Sequence, residues 1–140
     1  MLKLKPYSAS LLSLAGLLLI AMGIYFVFLR PFLLPEDLRY MKTTLSIIDD
    51  SAQGLSDWLQ KVFWVMGGYI FTTGVLIVFI SFTSFRKRLP GAFIIVALAG
   101  ISSIGSMTVV NFLIDSDFKW LLLAFTLPWI IGLILYRIHK

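Results

Sequence analysis

The chain alternates long apolar stretches with short polar ones, and this pattern predicts its elements. The apolar stretches cover residues 8–29, 62–85, 92–114 and 118–136. A helix that crosses a bilayer needs about 20 mostly apolar residues, so each stretch is predicted to be a membrane span. We therefore predict an all-α fold class: an integral membrane four-helix bundle that forms a single domain over residues 1–140.

The first stretch also resembles a secretory signal peptide, because Lys3 and Lys5 precede an apolar run. The apolar region of a signal peptide is about 7–15 residues long. Here the apolar run continues past Ala21 and Gly23 for the length of a span. We therefore predict that residues 8–29 are retained as the first span.

One long stretch, residues 30–61, is too polar for the bilayer core and is predicted to be an outer loop. Pro35 suits the first position of a helix, where Glu36 and Asp37 would face the positive end of the helix dipole. An apolar stripe at helical spacing then predicts a short amphipathic helix on the membrane surface or over the bundle. Its face could bind a lipid or a partner, but a passive lid is the simpler interpretation. The stripe consists of Leu38, Met41, Leu45 and Ile48.

Composition supports the membrane assignment. The chain is 59% hydrophobic and 14% charged, whereas a soluble domain is about 45–50% apolar and about 25% charged. The net charge of +5 does not indicate nucleic-acid binding, because the basic residues flank the apolar stretches. The absence of cysteine from the sequence excludes disulfides, thiol redox chemistry and cysteine metal sites.

The distribution of charge predicts which way the spans run. If both termini and the second loop face the cytoplasm, that side carries seven of the twelve basic residues and none of the seven acidic ones. Cytoplasmic loops are enriched in Lys and Arg. We therefore predict an N-in, C-in protein of the bacterial inner (cytoplasmic) membrane, with residues 30–61 outside. The seven basic residues are Lys3, Lys5, Arg86, Lys87, Arg88, Arg137 and Lys140.

Small residues recur every seven positions in the first three predicted spans. Such a repeat keeps one face of a helix against a neighbour, and small side chains let helices in lipid approach closely. We predict that these spans share a tight core around the third and that the fourth faces lipid; some of the same faces could instead form a homodimer. The sets are Ala9, Gly16 and Gly23; Gly67, Gly74 and Ser81; and Ala92, Ala99 and Ser106.

Catalytic chemistry finds little support in the sequence. No ionisable residue lies deep inside a predicted span, which argues against proton-coupled or cation transport. Apart from hydroxyls, the deepest polar side chain is Asn111, for which a hydrogen bond between helices is a simpler interpretation than ligand contact. His139 is the only histidine and lies at the opposite end from the carboxylates, which excludes a Ser-His-Asp triad and a histidine-based zinc site. We predict no catalytic residue, metal or cofactor.

Acidic residues nevertheless occur in pairs at the outer ends of the spans. If the outer loop folds over the turn between the third and fourth spans, the acids could bind a divalent cation or a polar headgroup. Helix caps and solvated turns are the simpler interpretation. Aromatic residues crowd the same half, and some could line a pocket for a lipid or quinone-like molecule. The candidate ligand-binding residues are Glu36, Asp37, Arg39, Asn111, Asp115, Asp117 and Lys119.

Glycine patterns in the second and third spans carry a resemblance to known proteins. Gly67 and Gly68 are followed by Gly74, and the run ALAGISSIG at residues 97–105 precedes Asp115. In these features the chain resembles the DoxX-like group of small bacterial four-span membrane proteins and neighbouring uncharacterised families. The resemblance implies a four-helix inner-membrane protein with extracytoplasmic loops, and it implies no catalytic residues.

Together these features predict a small integral membrane protein that is not an enzyme. It would serve as a partner subunit or bind lipids or other hydrophobic ligands. Its expected partners are membrane lipids and either a second copy or a larger membrane complex, not nucleic acid. Two alternatives stay open. A dimeric small transporter would show a polar path between protomers, and a membrane enzyme acting on a lipophilic substrate would gather the outer acids over an open pocket.

Overall fold

The computed structural model describes residues 7–138, so Lys3, Lys5, His139 and Lys140 of the charge and histidine arguments lie outside the described residues. Four of its helices are long and apolar enough to cross a membrane, which confirms an all-helical chain with four such helices. In chain order the helices are α1 (Tyr7–Phe28), α2 (Pro35–Met41), α3 (Leu45–Ser51), α4 (Leu55–Phe85), α5 (Ala92–Leu113) and α6 (Lys119–Ile138).

α1 is the central helix of the bundle. It packs along α4 on one side and along α6 on another. In its most apolar stretch of 18 residues, 39% of the residues are buried, against 22% in the corresponding stretches of α5 and α6. Glycines make the contact with α4: a Cβ atom on Gly67 would lie 2.9 Å from the carbonyl oxygen of Gly23. The prediction that the small-residue faces of the first two spans meet is therefore confirmed.

The prediction that the third span is the central one is wrong, because α1 has that place. The fourth span is predicted to face lipid more than the third, but α5 and α6 are equally buried, at 22% each. On the small-residue face of α5, Ala92 is buried and Ala99 is half-buried against the core, but Ser106 is exposed, so this face reaches the core only at its Ala92 end.

α5 instead packs on α6 at Gly100, where a Cβ atom would lie 2.5 Å from Cε2 of Trp129. The indole N–H of Trp129 also donates to the carbonyl oxygen of Val96 at 3.1 Å. A large aromatic ring in a glycine notch thus joins α5 to the bundle.

Both α4 and α5 contain a π-helical turn. The turn in α4 covers Ser81–Phe85 at its end, and the turn in α5 covers Ile101–Gly105 near its middle. Such turns leave some backbone carbonyls poorly bonded, which is costly in an apolar environment. In α5 serine hydroxyls bond these carbonyls: Ser103 Oγ donates to the carbonyl oxygen of Ala99 at 2.5 Å.

α2, α3 and the turn at residues 114–118 lie over one end of the bundle, called the capped end below. The amphipathic segment is not one helix, because Lys42 adopts a left-handed backbone (φ 55°) and ends α2. Its stripe is divided as well: Ile48 is buried, whereas Met41 and Leu45 are exposed. The helical spacing of the apolar residues therefore continues past Lys42, where the helix ends, and does not predict that end.

α4 and α5 contact each other near the loop that joins them, at the end opposite the capped end. Phe85 and Val96 are fully buried there. Toward the capped end a cleft opens between the two helices, with α1 as its floor. This cleft is where the fold can hold a ligand.

Candidate functional site

The cleft between α4 and α5 has a volume of about 1080 Å³. Ligand pockets in proteins usually measure about 300–1,000 Å³, so the space suits a large hydrophobic molecule. Residues from all four long helices form its walls, and most of them are apolar. The principal apolar ones are Leu19, Met22 and Phe26 of α1, Val62, Met66 and Ile70 of α4, Met107 and Val110 of α5, and Leu121, Leu122 and Phe125 of α6.

Hydroxyl groups interrupt the apolar walls near the middle of α4 and α5, but each of them already donates a hydrogen bond within its own helix. Thr73 Oγ1 donates to the carbonyl oxygen of Tyr69 at 2.8 Å. Ser102 and Ser106 likewise donate to carbonyl oxygens of their own helix. These groups therefore add little polarity to the walls, and the cleft remains apolar along the spans.

Arg30 lies at the polar end of the cleft, directly after α1. Its side chain is only 9% exposed, and its guanidinium lies 3.6 Å from the centre of the Phe63 ring. Nη2 donates to Asp37 Oδ2 at 3.2 Å, and Asp37 also accepts the backbone N–H of Leu34 at 2.8 Å. Burial lowers the pKa of Arg30, and Asp37 opposes that shift. Arginine nevertheless stays charged in proteins.

Glu36 occupies the same end of the cleft and is only 3% exposed. Its Oε1 accepts a hydrogen bond from Ser116 Oγ at 3.0 Å. Ser116 Oγ in turn accepts the backbone N–H of Phe118 at 3.1 Å. Because Ser116 is fully buried, this chain of hydrogen bonds fastens α2 to the turn before α6 and fixes the Glu36 carboxylate at the cleft.

A second polar network lies on the surface of the same turn. Arg39 Nη2 donates to Asp117 Oδ1 at 3.0 Å and to the carbonyl oxygen of Asp115 at 2.9 Å. Lys119 pairs with the Asp115 carboxylate. The hydrogen bond from Lys119 lowers the pKa of Asp115, and the hydrogen bond to Asp117 raises the pKa of Arg39. Exposed ion pairs of this kind contribute little to stability.

The predicted site residues therefore fall into two groups. Glu36, Asp37 and Asn111 line the cleft, whereas the other four form the surface network and do not line it. The outer acids do not gather as a cation site would require: in residues 7–138, no group of three His, Cys, Asp or Glu side chains could hold a metal ion. Asp49, for example, accepts a hydrogen bond from Ser56 at 3.1 Å instead.

Asn111 does not make the predicted hydrogen bond between helices. Its Nδ2 donates to the carbonyl oxygen of Met107, one turn earlier in α5, at 2.9 Å. A hydrogen bond between α5 and α6 is made by two buried hydroxyls instead, since the Oγ1 atoms of Thr108 and Thr126 lie 2.9 Å apart. Asn111 is left half-buried on the wall of the cleft.

Two residues that shape the polar end are absent from the sequence prediction, namely Arg30 and Ser116. The sequence did contain a signal for Arg30: it is a basic residue directly after the first span, on the predicted outer side, which has fewer basic residues than the other side. Ser116 stands between two aspartates and looks like an ordinary turn residue. Only the fold brings it to Glu36, which lies 80 positions away in the chain.

No family model, curated protein or solved structure matches the chain. The resemblance to DoxX-like proteins therefore stays a prediction, and the cleft with its polar end is the feature that indicates a function.

Proposed function

We propose that this protein binds a lipid or a similarly hydrophobic molecule within the membrane and catalyses no reaction. The observation that carries this proposal is the distribution of side chains in the cleft: apolar along the spans, with charged groups at the capped end. An amphiphile has the same distribution, because its chains are apolar and its head is polar. A ligand of this class can satisfy both parts of the cleft at once.

The cleft also suits entry from the lipid phase. Val65 and Tyr69 on one edge and Val110 on the other line it and are exposed. In a bilayer these edges would lie against acyl chains. A lipid could then enter sideways between α4 and α5 without passing through water.

We further propose the bacterial inner membrane as the location, with both termini in the cytoplasm. The loop between α4 and α5 carries three consecutive basic residues, Arg86, Lys87 and Arg88. The capped end carries all seven acidic residues of the chain. Basic loops favour the cytoplasmic side, so the capped end would face outward and the cleft would open in the outer half of the bilayer.

The alternative functions have weaker support. An enzyme would need its carboxylates gathered over the cleft, yet Asp37 is paired with Arg30, and Asp117 with Arg39. A transporter of protons or cations usually needs a charge within the spans, and the cleft walls described along the spans contain no acidic or basic side chain. As a partner subunit, the protein would receive a helix of another protein in the cleft in place of a lipid.

Native mass spectrometry after gentle extraction with endogenous lipids tests the proposal. The wild-type protein is expected to retain a lipid-sized molecule. Thr73→Phe places a ring in the cleft and is expected to reduce that retention at least several-fold. Thr72→Phe is the matched control, because Thr72 is the exposed neighbour in α4 that does not line the cleft.

An empty wild-type monomer would overturn the proposal, as would equal retention by the two variants. Co-purification of another membrane protein, lost in Thr73→Phe alone, would select the partner-subunit alternative. If the wild-type protein is a dimer and Thr73→Phe is a monomer, a second copy of the chain occupies the cleft.

A further inference from the structure

The polar end of the cleft contains a carboxylate without a cationic partner. Glu36 is 3% exposed and lines the cleft. Its hydrogen bond is the one from the neutral hydroxyl of Ser116, through Oε1. Within residues 7–138, no basic side chain lies within 4.0 Å of it. A buried carboxylate is costly unless it is paired, so this position favours a ligand that brings a cation.

Arg30 and Arg39 attract the Glu36 carboxylate from a distance, but neither forms an ion pair with it. Arg30 is committed to Asp37, with 3.2 Å between Nη2 and Oδ2, and its Nη1 donates to the carbonyl oxygen of Pro31 at 2.9 Å. Arg39 faces the surface and bonds Asp117. One cation and two carboxylates therefore line the polar end, and the unpaired charge is that of Glu36.

We propose that the cleft takes an amphiphile whose headgroup carries a primary ammonium, such as an ethanolamine phospholipid, and that Glu36 binds this ammonium. The proposal rests on the proposed function, since it concerns the same cleft. A primary ammonium brings both a positive charge and N–H donors for the free oxygen of Glu36. A trimethylated ammonium has the charge without the donors, and an anionic head would place a second negative charge beside the carboxylate.

Arg30 adds a reason for a phospholipid in particular. Its guanidinium carries five N–H donors, and not all of them are used by Asp37 and the carbonyl oxygens of Pro31 and Phe32. The remaining donors can bond the phosphate that joins an ethanolamine to its glycerol. Glu36 would then pair with the ammonium of a zwitterionic headgroup, and Arg30, still paired with Asp37, would donate hydrogen bonds to its phosphate.

The test is a competition among three phospholipids with identical acyl chains and ethanolamine, choline or glycerol heads. The delipidated wild-type protein is offered equimolar mixtures in micelles, and the bound fraction is measured by native mass spectrometry. The ethanolamine lipid is expected to be preferred about ten-fold or more over either competitor, the size of one charge-assisted hydrogen bond. Glu36→Gln is expected to remove that preference, because it keeps an acceptor for Ser116 and removes the charge.

Asp50→Asn is the matched control, since it removes one acidic charge from an exposed position of the same segment that does not line the cleft. It should keep the preference. If lipids bind without headgroup preference, or if the preference survives in Glu36→Gln, the ammonium proposal is wrong while lipid binding stands. If the wild-type protein retains none of the three lipids, the ammonium proposal is wrong because the cleft does not bind phospholipids, and an empty protein in the endogenous-lipid experiment as well would overturn the proposed function itself. Should Glu36→Gln not fold, the competition with the wild-type protein still decides whether the cleft prefers a headgroup with a primary ammonium.

Discussion

Gly16 of α1 and Gly74 of α4 meet backbone to backbone. A Cβ atom on Gly74 would lie 2.7 Å from the carbonyl oxygen of Gly16, and one on Gly16 would lie 2.9 Å from the carbonyl oxygen of Gly74. No side chain fits between them, so this crossing fixes how closely α1 and α4 approach. Since both helices also line the cleft, the crossing fixes how the wall formed by α4 lies against the floor formed by α1.

Gly74→Ala is therefore expected to destabilise the protein by about 1–3 kcal/mol, because the added methyl group overpacks a rigid backbone contact. Gly68→Ala in the same helix has open space around its new Cβ and is expected to be neutral or to stabilise the protein by up to about 1 kcal/mol, because alanine favours the helix more than glycine does. Reversible unfolding in mixed micelles measures both. Equal effects of the two variants would show that the crossing is not held at these glycines.

The buried hydroxyls of Thr108 and Thr126 are expected to stabilise the contact between α5 and α6. Each hydroxyl has one proton, so one of the two donates to the other, and the accepting hydroxyl donates to a carbonyl oxygen of its own helix. After replacement of one threonine, the remaining hydroxyl can still donate to its own helix. A double-mutant cycle with Thr108→Val and Thr126→Val should give a coupling free energy of about 0.6 kcal/mol and no more than about 1.7 kcal/mol, the average and the maximum for hydrogen bonds between membrane helices. A coupling indistinguishable from zero would mean that the two hydroxyls do not act together.

Asp115 should titrate below its ordinary pKa of 3.8, because Lys119 hydrogen bonds to its charged form. The pair therefore stabilises the fold above about pH 4, and this contribution is lost as the pH falls through the lowered pKa. Lys119→Met should raise the pKa of Asp115 toward the ordinary value. Carbon-detected nuclear magnetic resonance of the carboxyl group measures this shift. Lys42→Met, another outer lysine that is exposed, should leave the titration unchanged.

The proposed orientation can be tested by labelling, because the natural chain has no cysteine. Asp50→Cys lies in α3 at the capped end, and Lys87→Cys lies in the loop between α4 and α5. A membrane-impermeant maleimide added to spheroplasts should label the first variant and not the second. Inside-out vesicles should reverse the result. The opposite pattern would place the capped end in the cytoplasm.

The apolar stretches of the sequence predict the four long helices well, because a bilayer imposes a length and a polarity that can be read without knowing any contact. Glycine spacing likewise predicts the meeting of α1 and α4. The same spacing fails for α5, since Gly100 packs against the ring of Trp129 and the period of seven contains no information about that distant residue.

The candidate site shows the same limit. The sequence by itself determined that acids and aromatic residues crowd one end of the spans, because charge and hydropathy are local properties. Only the tertiary structure decided that Glu36 accepts a hydrogen bond from Ser116, that Arg30 pairs with Asp37, and that Arg39 pairs with Asp117 on the surface. These pairings join residues of different helices and turns, and they depend on the position in which α2 packs on the bundle. The cleft itself is a further product of packing, since it exists where α4 and α5 part.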